Sequence, residues 1–331
     1  MFAEKLINGD TIGIFCASEP ANLVQERINL AESRLAQLGL NVEYAPNCFL
    51  TGYVAGSIIE RSQAFMNLYK NPNIKALMAF WGGNNSNEIL PFLDYNYIEQ
   101  NPKIVIGYSD TSVILQAITN MTQLVTYYGA SLVSFSKPID TSYSLQSFES
   151  CCVISSLEDH SQWLDLVIPE TFYDNSSSYQ YGQNPESKLN EGIKVYKNGE
   201  SSGTLVSCCL ESLCALIGTS YFPNLDNVIL SLESSERSNI RNIRQYFTQM
   251  IQCGYFDCIK GLCLSKFTAD SKVSEEQLIE ILDELFAQFD FPIIYNLDFG
   301  HTDPIGTLPN GSFVDIKADS QNGVKIKFKI S

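Results

Sequence analysis

The sequence predicts an α/β protein, with an N-terminal parallel-sheet α/β domain and a C-terminal strand-rich α+β domain. Three observations carry that reading. In residues 1–135, short apolar runs alternate with helix-period stripes, the pattern of strands joined by helical crossovers. Beyond residue 190 the apolar runs come closer together, with only two helical stripes among them. A chain of 331 residues is also long for a single core. The expected division is a domain over 1–135, a linker and loop region over 136–190, and a second domain over 191–331.

Thr11 to Cys16 is a buried-strand candidate, followed by the loop Ala17-Ser18-Glu19-Pro20. From Val24, apolar residues fall at Ile28, Ala31, Leu35 and Leu38, one face of a helix that Gly39 ends. Asn41 to Ala45 reads as a strand, Ser57 to Tyr69 as a helix, and Ile74 to Phe80 as a third strand. That strand runs into Trp81-Gly82-Gly83-Asn84-Asn85-Ser86-Asn87 and a helix containing Ile89 and Leu90. Lys103 to Ile106 is the next strand, broken by Gly107, and a helical stripe begins at once (Val113, Ile114, Ala117, Ile118, Met121). Leu124 to Tyr128 completes the series. From Ser136 to Asn190 the periodicity decays, and Ser, Tyr, Asn and Gln dominate 176–184. Strands are then expected at Ile193–Tyr196, Thr204–Val206, Val228–Leu232, Gly261–Leu264, Pro292–Tyr295, Ser312–Ile316 and Val324–Ile330. Helices are expected near Ile240–Ile251 and Glu275–Phe289.

Composition narrows the function. A net charge of −16 argues against nucleic acid and anionic membrane surfaces, which both need a basic footprint. No apolar run is long enough to span a bilayer, and Met1-Phe2-Ala3-Glu4-Lys5 lacks the layout of a signal peptide, so the expected setting is cytoplasmic. The ten cysteines include the adjacent pairs Cys151-Cys152 and Cys208-Cys209 but no C-x-x-C, and several sit inside apolar runs. They read as small buried side chains in a reducing compartment, with no metal site and no cofactor.

In an α/β sheet, ligands gather at the carboxyl ends of the strands. Two turns lie there, Gly82-Gly83 and Gly107-Tyr108-Ser109-Asp110. A strand passing through one tight turn into a helix exposes the turn's side chain, here Ser109, as in a nucleophile elbow without its second glycine. The same Ser-Asp pair also suits an ordinary helix start. A serine nucleophile needs a base, and only two histidines exist. His160 lies in the polar run Glu158-Asp159-His160-Ser161, and His301 on the glycine-flanked loop Asp298-Phe299-Gly300-His301-Thr302-Asp303-Pro304 after an apolar strand. A carboxylate must orient the imidazole, and Glu233, Asp298 and Glu236 are the candidates.

Five ordered segments go further. Gly82-Gly83-Asn84-Asn85-Ser86-Asn87-Glu88-Ile89-Leu90-Pro91 resembles the oxyanion loop of the LD-carboxypeptidase family, and more closely its microcin C immunity peptidase branch. Asn101-Pro102-Lys103 through Ser109-Asp110 resembles that family's nucleophile segment. Gly218-Thr219-Ser220-Tyr221-Phe222-Pro223, Leu230-Ser231-Leu232-Glu233 and Phe299-Gly300-His301-Thr302-Asp303-Pro304 complete the pattern. The resemblance implies a site between the two domains, with a Ser109–Glu233–His301 triad and oxyanion donors on Gly83 and Asp110. It also implies substrate contacts from Asn84, Asn85 and Ser86, and a homodimer. The implied substrate is a small peptide or aminoacyl-nucleotide amide; a muropeptide L,D-bond, or binding without catalysis, are the alternatives. This chain departs from the pattern at Ser207-Cys208-Cys209 in place of Gly-Gly-Asn, at Ile193 in place of Trp, and at Ser234 in place of an acidic residue. The Asn-rich loop suits an anionic substrate group without a dedicated Lys or Arg.

Overall fold

Apolar strands flanked by amphipathic helices have nowhere to bury both faces except inside a layered sheet, and the chain builds two of them. The structure is a computed structural model and describes residues 1–154, 162–175 and 185–331. In the first sheet β1 (Thr11–Phe15), β2 (Asn41–Tyr44), β3 (Ile74–Ala79), β4 (Ile104–Gly107) and β5 (Thr126–Tyr128) run parallel, in the order β5-β4-β3-β1-β2. The helices α1 (Gln25–Gln37), α2 (Ile58–Lys70), α3 (Tyr95–Gln100) and α4 (Ser112–Thr122) connect them. α2 starts with a capping box, in which Ser57 and Glu60 satisfy each other's backbone N–H. The helix expected over Ile89 and Leu90 is instead a 3₁₀ turn, Ser86–Phe92, because Pro91 lies inside it and denies it a donor.

After a single turn, α5 (Leu132–Phe135), the stretch expected as linker contains α6 (Ser142–Cys152), β6 (Trp163–Asp165), β7 (Thr171–Phe172) and β8 (Lys188–Leu189). α6 buries Ser144, Phe148, Cys151 and Cys152, a helical face made mostly of small residues that a hydrophobicity stripe does not register. His160 lies outside the described residues.

The second sheet contains β9 (Lys194–Lys197), β10 (Gly199–Cys209), β11 (Val228–Glu233), β12 (Gly261–Ser265) and β13 (Ile293–Leu297), together with two later strands. Its centre, β10 to β13, is parallel, with α8 (Ile240–Gln252) and α9 (Glu275–Leu285) as crossovers and α7 (Leu210–Ala215) directly after β10. A parallel centre was not visible in the sequence, where the strand-rich pattern suggested an α+β arrangement. The chain then crosses back. β14 (Leu308–Asn310) pairs antiparallel with β5 in the first sheet, before β15 (Phe313–Asp319) and β16 (Gly323–Lys329) return to the second and carry β6 at its edge. Two apolar cores result, the smaller formed by β10–β13 with α7, α8 and α9. Among the described residues, no helix is long and apolar enough to cross a membrane.

Asn310, fully buried at the end of β14, joins the halves. Its Oδ1 accepts from the Ser207 N–H (2.9 Å) and Gln116 Nε2 (3.1 Å), and its Nδ2 donates to Thr126 Oγ1 (3.0 Å) and Thr119 Oγ1 (3.1 Å). Asn310→Ala strips an acceptor from two buried donors. It should lower unfolding stability by about 2–3 kcal/mol in urea unfolding followed by intrinsic fluorescence; an unchanged midpoint would rule out this joint.

Candidate active site

Strand β4 delivers Ile104, Val105 and Ile106 to the core and then has to turn sharply. A Cβ on Gly107 would lie 2.8 Å from Thr111 Cγ2, so the turn closes only around a glycine there. Ser109 takes φ +59°, a left-handed conformation that costs a non-glycine residue about 1–3 kcal/mol. Two contacts hold it: its N–H donates to the Tyr128 hydroxyl (3.3 Å), and its carbonyl accepts from Ser112 Oγ (2.6 Å). The hydroxyl of Ser109 therefore stands at the carboxyl edge of the first sheet.

From the second sheet come the partners. Glu233 is the last residue of β11 and His301 lies in the loop after β13, so the carboxyl edges of both sheets meet at one point. His301 Nδ1 is 2.6 Å from Glu233 Oε2, and His301 Nε2 is 3.0 Å from Ser109 Oγ. A carboxylate only accepts, so Nδ1 carries the proton, and the neutral ring presents Nε2 as the acceptor for the serine hydroxyl. Gly300 makes this possible. It sits at φ +87°, and a Cβ there would be 2.5 Å from Glu233 Cγ. The competing carboxylates are placed elsewhere. Asp298 is bonded to Lys266 (2.6 Å) and Asn190 (3.0 Å), and Glu236 Oε2 approaches the opposite ring nitrogen, 3.9 Å from Nε2.

Burial alone would lower the imidazole's pKa. The Glu233 charge and hydrogen bond outweigh it, with Glu236 and Glu211 adding to them, and His301 is raised to about 9. The shift favours imidazolium at neutral pH, so the ring becomes a free base only as pH rises towards 9 or as a ligand offsets the nearby carboxylates. On stability the sign is opposite. The contribution of this proton is present in full below the ordinary histidine value of about 6.5 and is lost as pH rises through the folded value.

The Gly82-Gly83 turn faces the serine. A Cβ on Gly82 would come within 3.0 Å of Ser109 Oγ and 3.2 Å of the Asp110 nitrogen, so glycine keeps open the space in front of both. Asp110 lies in the first turn of a helix start, where N–H groups have no partner within the helix. Gly83, at φ +145°, passes so close to Ser18 that a Cβ would overlap its Oγ at 2.1 Å. Ser18 Oγ accepts from the N–H groups of Asn84 (3.0 Å) and Asn85 (3.3 Å) and fixes the loop. The expected trio of substrate-facing residues narrows here. Asn85 spends its side chain on Ser18 and Glu88, and Ser86 is buried with its N–H on the Asp110 carboxylate (2.8 Å). Burial pushes that Asp110 carboxyl up in pKa, against the Ser86 contacts. Only Asn84 of the three lines the cleft.

The cleft, about 1070 Å³, runs between the halves past Tyr53, Trp81, Cys209, Glu211, Glu236 and Arg237. Arg237 Nη1 donates to Asn84 Oδ1 (2.9 Å) and has no carboxylate within ion-pair distance among the described residues, whereas Lys137 is paired with Asp303 (2.6 Å). The loop expected to suit an anion without Lys or Arg thus has a guanidinium beside it. Arg237 is far from the loop in sequence and reaches it only through the fold. The departures at Cys209 and Ser234 belong to one network. Glu211 Oε1 accepts from Ser234 Oγ (3.2 Å), the Ser235 N–H (3.0 Å), Ser235 Oγ (2.7 Å) and Ser238 Oγ (2.6 Å), while Cys209 Sγ donates to Oε2 (3.1 Å). Burial acts to raise Glu211, but these donors win and hold its carboxyl below the usual range. Ile193 packs against the larger core. Among the described residues, no group of three metal-capable side chains is assembled.

Models of the LD-carboxypeptidase N-terminal and C-terminal domains match residues 12–129 and 202–316. The chain belongs to the LD-carboxypeptidase family. The microcin C7 self-immunity protein MccF of Escherichia coli is 33% identical over 340 residues, covering 97% of this chain and 94% of that protein. Among solved structures, an MccF-like protein from Bacillus anthracis superposes with a TM-score of 0.93 at 30% identity, covering 100% of both chains. MccF in complex with glutamyl sulfamoyl guanosine gives 0.88 at 31%, covering 99% and 98%. LD-carboxypeptidases of this family are serine peptidases, and hydrolysis is the chemistry this chain shares with them.

Gly300→Ala displaces Glu233 and should cost roughly 100-fold in the rate at which a fluorophosphonate probe labels Ser109; a wild-type rate would mean the clamp is dispensable. The same rate in the unaltered enzyme should climb as pH rises through about 9. Glu236→Gln removes one cause of the raised value, so its curve should move to lower pH, and an unmoved curve would discount Glu236.

Proposed function

We propose that the protein is a serine hydrolase acting through an acyl-enzyme on Ser109, and that its substrate is an amide joining an aminoacyl or peptidyl group to a nucleotide-like leaving group. The observation that carries the reading is the unbroken chain from Ser109 Oγ through His301 to Glu233, at 3.0 and 2.6 Å. Ser109 Oγ attacks the scissile carbonyl carbon as its proton passes to His301 Nε2. Glu233 stabilises the resulting imidazolium. The carbonyl oxygen becomes an oxyanion facing the Gly83 and Asp110 N–H groups, a pair worth several kcal/mol in such sites, on the order of 3 for each donor. Collapse breaks the C–N bond, and the imidazolium returns its proton to the departing nitrogen. Water then repeats the sequence on the ester and frees Ser109.

Substrate choice rests on the walls of the cleft. Tyr53, 88% exposed, and Trp81 offer aromatic faces on which a base can stack. Arg237 with Asn84 offers a cationic, hydrogen-bonding patch for a sulfamoyl- or phosphoryl-like group. MccF, known in complex with glutamyl sulfamoyl guanosine and aspartyl sulfamoyl adenosine, supports the same assignment. The terminal carboxylate of a muropeptide would also suit Arg237, which keeps L,D-carboxypeptidase activity as the second reading. The reading extends to a cytoplasmic homodimer.

Ser109→Ala should lower turnover by roughly 10³- to 10⁶-fold, and adding Glu233→Ala or His301→Ala should cost little more; full activity in Ser109→Ala would end the proposal. On one preparation, kcat/KM for aspartyl sulfamoyl adenosine should exceed that for a muropeptide tetrapeptide, with products read by mass. A tenfold preference for the muropeptide would reverse the substrate assignment.

A further inference from the structure

Glu233 has two carboxylate oxygens and only one imidazole. Oε2 takes His301, and with the side chain wholly buried Oε1 needs a donor of its own. That donor is Tyr128, whose hydroxyl lies 2.5 Å from Oε1. The hydroxyl oxygen of Tyr128 in turn accepts from the Ser109 N–H at 3.3 Å. A phenol has one proton to give, and a backbone N–H can only donate, so the roles are fixed: Tyr128 gives its proton to Glu233 and accepts from Ser109. Tyr128 ends β5, next to β4, with its ring edge-on to Phe299, two residues before His301. One hydroxyl thus touches the backbone of the serine and the carboxylate behind the histidine.

We infer that Tyr128 is a positioning residue for this chemistry, holding Glu233 and the strained Ser109 turn in fixed relation so that the imidazole meets Ser109 Oγ. The inference rests on the proposed role of Ser109. It has a corollary for the oxyanion: the N–H of Ser109 is already committed, which leaves the developing charge to Gly83 and Asp110. Burial and the neighbouring Glu233 charge push the phenol's pKa well above its ordinary value, so it remains a donor across the pH range in which the histidine titrates.

Tyr128→Phe removes one oxygen and keeps the ring. With a fluorophosphonate probe on the full chain, the labelling constant of Ser109 should fall roughly 10- to 100-fold, and the rise of the rate with pH should move to higher pH. Glu233 without its second donor holds the imidazolium more tightly. Replacing Tyr128 by 3-fluorotyrosine makes a stronger donor and should move the curve to lower pH, a readout that does not depend on the Phe variant folding. Phe299→Leu loosens the packing of the same ring but keeps the hydroxyl, and should leave the curve in place. Unshifted curves in both Tyr128 variants, or an equal shift in Phe299→Leu, would overturn the inference by reducing Tyr128 to packing. If the unaltered enzyme is not labelled at Ser109, the proposed nucleophile falls, and this inference falls with it.

Discussion

The most demanding constraint in this molecule is a carboxylate with no exposed surface, Glu233, set where the edges of two sheets meet. A buried charge is tolerated only when it is fully hydrogen-bonded, and neither half of the chain can satisfy this one alone. One donor comes from the loop after β13 and the other from the end of β5, so the carboxylate draws the sheets together at their functional edges. The same packing leaves no room for a side chain at residue 300. The tautomer of the imidazole, and with it the atom presented to Ser109, follows from where this charge sits.

Much of this was legible in the chain. The strand endings before Ser109, Glu233 and His301 show as apolar runs stopped by glycine or by a carboxylate, and buried runs are what sequence periodicity reports best. The helix α6 was not legible, because its buried face is mostly serine and cysteine, with Phe148 as its one large apolar residue. β14 was missed because three residues containing a proline give no strand signal; only pairing with β5 defines it. The site's supporting residues were hidden for another reason. Tyr128 reads as one more strand aromatic, Arg237 as a surface charge and Glu211 as a helix-start acid. Each acquires meaning from an atom more than twenty residues away: Glu233 for Tyr128, Asn84 for Arg237 and Ser238 for Glu211. Residues 84–86 show the converse: a polar loop suggested three contacts, yet the Asn85 side chain and the Ser86 backbone N–H are used to hold the loop itself.

Two of the departures from the family pattern, at Cys209 and Ser234, lie together. Cys209 and Ser234 both bind Glu211, and with Ser235 and Ser238 they form one rigid wall beside Arg237. That wall faces the space a substrate would occupy and makes no contact with the Ser109–His301 hydrogen bond. Changes within it act on what fits the cleft and, through the Glu211 charge that helps raise His301, on the proton affinity of the imidazole.

The return of β14 to the first sheet has a consequence for how the protein comes into being. Until residues 308–310 arrive, β5 is an unprotected sheet edge, with open backbone groups beside the turn that bears Ser109. During synthesis that edge waits for some 180 further residues, and its closure is a long-range contact of the kind that slows folding. The last tenth of the chain is therefore what both brings His301 to Ser109 and seals the first sheet. A nascent chain carries Ser109 without His301 beside it.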